Sequence, residues 1–383
     1  MTRSDRLRAE LVAELTGKGW LQSAGWGDAF GTVARERFLR QFFALTPDRS
    51  RYEAVDEHRP DWLDMVYRNA VWPTQLDGDD TRWDQARRSG PIIGTPTCSS
   101  TQPSLMAVML DALDVRDGHR VLEIGTGTGY NAALLTHRLG GEQVVSVDVD
   151  AGLVERARDD LARAGYRPVL VAADGTGGYP DGEPYDRLIA TCAVPAIPQA
   201  WLAQVRSGGV VLANINRQLV GGSLVRLRVH PDGSASGRLL DDYGGFMPVR
   251  AHQDTDLWDL VKAASGQHGE QRKSRLPAPV RDEGEGWTVL ADLLMTGVAR
   301  TDLIREDGDV QWLVHPDGSW AYYQAATGCV EQGGSRRLWD ELEYLHDLWV
   351  AQGRPRRDDI GLTVGRDGAH QVWLHDPTNV VAP

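Results

Sequence analysis

A doubly wound α/β sheet followed by a smaller α+β part is the fold this sequence predicts, and three observations predict it. Short apolar runs alternate with helix-spaced segments from about residue 119 to residue 216. Three glycines, Gly125, Gly127 and Gly129, stand where the first of these runs gives way to a helix. Beyond Arg250 the alternation stops, and two Pro-Asp-Gly turn signals, one shortly before that point and one after it, stand between alternating strands.

The N-terminus, residues 1–55, reads as a helical segment. Leu7, Leu11 and Leu15 recur at spacing four, and Phe38, Leu39, Phe42 and Phe43 offer an apolar stripe in "RERFLRQFFAL". Residues 56–100 are rich in Asp, Pro, Gly and Trp without a sustained period, which predicts a long loop or lid. The main domain is expected over 101–250. Its strand candidates are "HRVLEIG", "EQVVSVDV", "RPVLVAAD", "YDRLIATCAV" and "GGVVLANIN", with helices in "YNAALLTHRL", "AGLVERARDDLARAG" and "IPQAWLAQVR". Residues 251–383 form the α+β appendage. It contains the second of two segments sharing the turn string HPDGS, the first lying just before 250, a helix in "SRRLWDELEYLHDLWVAQG" and a last hairpin. Seven of the 13 tryptophans fall there, a density that fits either a small core or a peptide-binding surface.

Composition narrows the function. The chain has 383 residues, 41% hydrophobic and 25% charged, and no apolar run near the roughly 20 residues that span a bilayer. No signal peptide is visible, so a cytoplasmic location is expected. The net charge of −13 opposes binding to nucleic acid. Cys98, Cys192 and Cys329 are too far apart for a CxxC pair, so neither a disulfide framework nor a metal cluster is indicated. A peptide or protein is the expected large partner.

The glycines carry the first chemical signal. With Thr126 among them, they let the backbone approach a ligand at a strand-to-helix junction. The spacing is GxGxG. Asp148, followed by Val149, ends the next strand, where a carboxylate suits a ribose diol. Glu123 lies two residues before the first glycine, placed to meet a ligand's amino group directly or through water, and Asp174-Gly175 ends the third strand, where an adenine amino group would be met. Together these point to S-adenosyl-L-methionine rather than a nicotinamide dinucleotide.

At this point the residues resemble protein-L-isoaspartate O-methyltransferase. The likeness is carried by "ARERFL", "STQP" with the apolar helix after it, "RVLEIGTGTGYNAALL", "VVSVDVD", "ADG", "PYDRLIATCAVPAIPQAWLAQVRSGGVVL" and "FMPVR", over roughly residues 25 to 250. It implies a Rossmann-like sheet of the class I methyltransferase type, S-adenosyl-L-methionine at the glycine loop, and a peptide carboxylate as acceptor. The family usually carries a serine where this chain has Thr101. The long loop and tail are similar to those of methyltransferases that mature ribosomally made peptides such as graspetides, lanthipeptides and lasso peptides, where a methylated aspartate closes to aspartimide.

The stretch "TCSSTQP" then takes on a meaning. A carboxylate is already ionised at neutral pH, so methyl transfer to it calls for alignment and exclusion of water rather than a base. Neutral donors suit that task. Thr101 is expected to orient the carboxylate, with Ser100 and Ser99 in support; the alternative is that these hydroxyls only cap the following helix. Gln102, Asn214 and Asn216 are expected on the peptide, the two asparagines equally as turn residues. Two acceptors remain open: an aspartate in a modified precursor peptide, the reading the extra segments favour, or isoaspartate in damaged proteins, the repair reaction.

Overall fold

The computed structural model describes residues 1–250, 257–276, 280, 286–304 and 308–382. The chain divides into two compact units, residues 1–191 with 203–212, and residues 192–202 with 213–383. The strands Tyr185–Val194 and Val205–Ile215 carry residues in both. Among the described residues no helix is long and apolar enough to cross a membrane.

The predicted α/β sheet forms the first unit. Val121–Ile124, Val144–Asp148 and Val169–Ala172 lie parallel, and Val121–Ile124 also pairs in parallel with the start of Tyr185–Val194, Val121 opposite Arg187. The order is therefore 185–191, 121–124, 144–148, 169–172. Continuous apolar runs are what strands covered on both faces require, and Val121, Leu122, Val147, Leu188 and Ile189 are fully buried. The crossover helices, Tyr130–Leu139 and Ala151–Ala164, match the predicted segments. Asp150 caps the second through the Leu153 N–H at 3.1 Å.

The N-terminal expectations need correction. Helices Arg3–Gly17 and Ala24–Thr32 are present, but Gln41–Leu45 is a strand paired with Tyr52–Asp56, not the end of a helix. Three adjacent apolar residues, Phe42, Phe43 and Ala44, satisfy a strand buried on both faces as well as a helical stripe. The segment expected as a loop is also ordered. It holds helices Trp62–Val66 and Arg82–Ser89 and a hairpin of Trp72–Leu76 with Pro96–Ser100. Phe43, Leu76, Ala86 and Ile92 give it a small core of its own, and the indoles of Trp62 and Trp83 donate to the carbonyls of Leu39 and Phe42 at 2.9 and 3.2 Å. Each short element supplies only one or two of these anchors, so no period develops along the sequence.

In the second unit an antiparallel sheet runs Ser223–Val229, Ala235–Tyr243, Ile360–Val364, His370–Leu374, Val380–Val381. The last hairpin thus joins a sheet begun before residue 250, because Ala235–Tyr243 offers an edge on which Gly361 to Val364 pair. A five-stranded antiparallel sheet and the helices Leu257–Ala264, Gly286–Leu294 and Leu338–Ala351 complete the unit. Both HPDGS strings make the same turn: His230 and His315 each donate an N–H to the serine four residues on, at 2.8 and 2.9 Å, with Gly233 and Gly318 at φ +81° and +88°. Of the seven tryptophans after residue 250, six are buried and Trp258 alone is exposed, so the cluster is chiefly core.

Candidate active site

All the expected cofactor residues lie in the first unit, around the end of Val121–Ile124. Gly125, Gly127 and Gly129 take φ of +100°, +50° and +81°. A Cβ on Gly125 would lie 2.7 Å from the Thr191 hydroxyl, which donates to the carbonyls of Ile124 and Gly125 at 3.1 and 2.7 Å. The loop is therefore clamped from the neighbouring strand, and its first position admits no side chain. Thr126 is buried, with its hydroxyl 2.6 Å from that of Ser146.

Asp148 holds the loop from the second strand. One of its oxygens accepts the Gly127 N–H at 2.9 Å and the other the Asp150 N–H at 3.1 Å, and each keeps a lone pair for a further donor. Val149 presents an apolar side chain that is 51% exposed, a surface a flat ring can cover. Asp174 is exposed. One oxygen accepts the Thr176 N–H at 2.9 Å and the other has no described partner. Gly175 lies where a Cβ would meet Ile124 at 2.5 Å, so the turn rests directly on the first strand. A cradle without side chains, a half-buried carboxylate with spare lone pairs and an exposed apolar patch fit an adenosyl group.

Glu123 does not sit where its spacing suggested. It is fully buried; its oxygens accept from Asn131 Nδ2 at 2.7 Å and Ser146 Oγ at 2.6 Å, so it braces the loop from beneath and leaves no surface for direct contact with an amino group. Burial pushes its carboxyl up to about 7.

The hydroxyl cluster spans the strand Pro96–Ser100 and the turn into the helix Pro103–Leu113. That strand pairs with Trp72–Leu76, Trp72 opposite Ser100 and Pro73 opposite Ser99, and it passes the glycine loop, the Ser99 carbonyl lying 3.9 Å from where a Gly127 Cβ would be. Gln75 secures the hairpin, donating to Asp80 at 2.8 Å and to the capping Asp150 at 3.0 Å. No side chain of the cluster caps the helix; the Ser104 N–H goes to Asn69 Oδ1 at 3.0 Å. Among the described residues the half-buried Thr101 and Ser99 hydroxyls have no hydrogen-bond partner. Ser100 is buried and accepts from Arg35 Nη2 at 3.2 Å. A cavity of about 400 Å³ borders the same glycine loop, lined by Gly127, Thr128, Asp56, His58, Thr74 and Trp83 among others.

The expected peptide contacts fare differently. Gln102 turns onto the Ser104 hydroxyl at 2.9 Å. In the second unit Asn216 closes a turn, accepting the Gln218 N–H at 2.9 Å. Asn214 is fully buried there, its amide crowding Gly222 and Gly244, with neither amide atom hydrogen-bonded among the described residues. Sequence reasoning missed Arg35, Asn69, Gln75 and Thr191. Arg35 and Thr191 carried a signal, as parts of "ARERFL" and "PYDRLIATCAV", but were passed over.

The chain is similar to proteins of one family. Residues 83–240 match the family described as protein-L-isoaspartate(D-aspartate) O-methyltransferase. A protein-L-isoaspartate O-methyltransferase of Ignicoccus hospitalis is 36% identical over 235 residues, 61% of this chain and 93% of that one. One of Methanoculleus marisnigri is 46% identical over 116 residues, 30% of this chain and 52% of that protein. A solved protein-L-isoaspartate O-methyltransferase aligns over 96% of this chain and all of its own, at 23% identity and a TM-score of 0.55.

Proposed function

Because the chain belongs to the protein-L-isoaspartate O-methyltransferase family, we propose that it methylates the free carboxylate of an isoaspartyl residue in a peptide or protein, the first step of repair. The observation that carries this reading is the similarity to the Ignicoccus protein over 93% of its length. The cofactor, S-adenosyl-L-methionine, supplies a methyl on a sulfonium, which leaves as the carboxylate oxygen bonds to the carbon.

The chain's own residues bind and align. Asp148 holds the ribose diol with its spare lone pairs, Val149 covers one face of the adenine, and Asp174 accepts from the adenine amino group. Glu123 places a buried carboxylate beneath the loop, where a negative charge favours a cationic ligand above it. Thr101, its hydroxyl unspent, donates to the acceptor carboxylate and leaves the other oxygen free to react, and Ser99 and Ser100 support that turn. No general base is called for. Once formed, the methyl ester is a better leaving group than the carboxylate; the next backbone nitrogen attacks it, methanol departs, and a succinimide remains.

A second acceptor, an aspartate of a ribosomally made precursor peptide leading to aspartimide or isoaspartate, uses the same chemistry. The ordered segment over 41–100 and its cavity favour selectivity for a particular peptide. The length of the chain beyond residue 250 does not separate the two readings, since the solved relative aligns with nearly all of it. Mass spectrometry of the protein with S-adenosyl-L-methionine and paired peptides decides. Methylation of unrelated isoaspartyl peptides is the expected result; methyl gain and then net loss of water on an aspartyl precursor alone would replace the repair reading with the biosynthetic one.

A further inference from the structure

Arg35 is fully buried, and its guanidinium meets no carboxylate among the described residues. Its hydrogen bonds run to the carbonyls of Val66 (2.8 Å), Arg68 (3.2 Å) and Ala70 (3.3 Å), to the Ser100 hydroxyl (3.2 Å) and to the Thr101 carbonyl (3.1 Å). The Tyr130 ring covers one side at 5.8 Å, and Nε has no partner. Burial lowers its pKa only to about 10, so the group is cationic at neutral pH. A buried charge without a counter-ion is costly, and a purely mechanical tie between the 66–70 turn and the hydroxyl turn does not require one.

We propose that Arg35 is a positioning residue that makes this turn select a carboxylate, its charge acting through Ser100 and the Thr101 backbone on the acceptor bound at Thr101. This rests on the carboxyl-methylation reading above. Ser100 receives a hydrogen bond from a cation while its own proton has no described acceptor, which strengthens it as a donor. The Thr101 carbonyl is held from beneath, which fixes where the free Thr101 hydroxyl points. The charge lies one residue removed from the acceptor. It favours an anion at the turn without forming the direct ion pair that would blunt an attacking oxygen.

The test compares two competitive inhibitors of isoaspartyl-peptide methylation that differ only in whether the free carboxylate is present or replaced by a carboxamide. In the wild type the carboxylate form is expected to bind more tightly. Arg35→Met should reduce that preference about tenfold, and Arg35→Lys should retain most of it, with S-adenosylhomocysteine affinity within about twofold of wild type in both. A structural tie would weaken both inhibitors equally, and that result overturns the proposal. Should Arg35→Met fail to fold, Ser100→Ala carries the test: about a threefold loss of preference is expected, and an unchanged preference overturns it. A wild type that methylates no isoaspartyl peptide overturns the repair reading itself, a distinct outcome.

Discussion

Glu123→Gln isolates the electrostatic cost of the buried carboxylate. Its pKa rises from the ordinary 4.5 to about 7 on folding because burial disfavours the charged form, the hydrogen bonds from Ser146 and Asn131 offsetting only part of this. The folded state therefore binds the proton more tightly than the unfolded state. Below pH 4.5 both states are protonated and the group costs nothing. As pH rises toward 7 the cost grows, and above it the full penalty applies, roughly 3 kcal/mol. Glutamine fills the same space, accepts from Asn131 and donates to Ser146, and does not titrate. For a unit of about 200 residues, where 1 kcal/mol shifts Tm by about 2–4 °C, the variant should melt roughly 6–12 °C above wild type at pH 8. The gap should close toward pH 5. Thermal unfolding of ligand-free protein across that range is the assay. A gap that stays constant with pH, or a variant less stable at pH 8, would show that Glu123 is not charged and buried as described.

Three further outcomes follow from the site. Asp148→Ala removes the acceptor for the Gly127 and Asp150 N–H groups and for the ribose, so S-adenosylhomocysteine should bind roughly 100-fold more weakly by calorimetry; unchanged affinity would exclude the ribose role. Gly125→Ala places a Cβ 2.7 Å from the Thr191 hydroxyl at φ +100° and should cost about 2–3 kcal/mol in urea unfolding, against no loss if the strand yields freely. Thr101→Ala should leave cofactor affinity within about twofold while kcat/KM for peptide falls about tenfold or more, and Thr101→Ser should retain most of the activity; equal loss of binding and turnover would mark Thr101 as structural.

The α/β sheet was legible because strands buried on both faces, such as Val121–Ile124 and Val144–Asp148, must be apolar throughout, and that pattern is local. The glycine loop was legible for the same reason: its backbone conformation is written in three alternate positions within five residues. The ordered segment before residue 100 was not, since its core is assembled from Phe43, Leu76, Ala86 and Ile92 out of separate elements. Glu123 misled because spacing places it near the ligand but does not tell that Asn131 and Ser146 turn its carboxylate inward. Arg35 stayed hidden because an arginine is read as exposed; only the convergence of carbonyls from the 66–70 turn and Thr101 makes its burial tolerable.

The pairing of Ala235–Tyr243 with Ile360–Val364 also has a meaning in time. Arg238 waits for Gly361, about 120 residues later in the chain. At roughly 5–20 residues per second of synthesis, that edge lies bare for about 6–25 s while the five-stranded sheet is being made. A bare strand edge invites pairing with a neighbouring chain, so premature termination anywhere between 244 and 360 leaves a product with a ready contact for association.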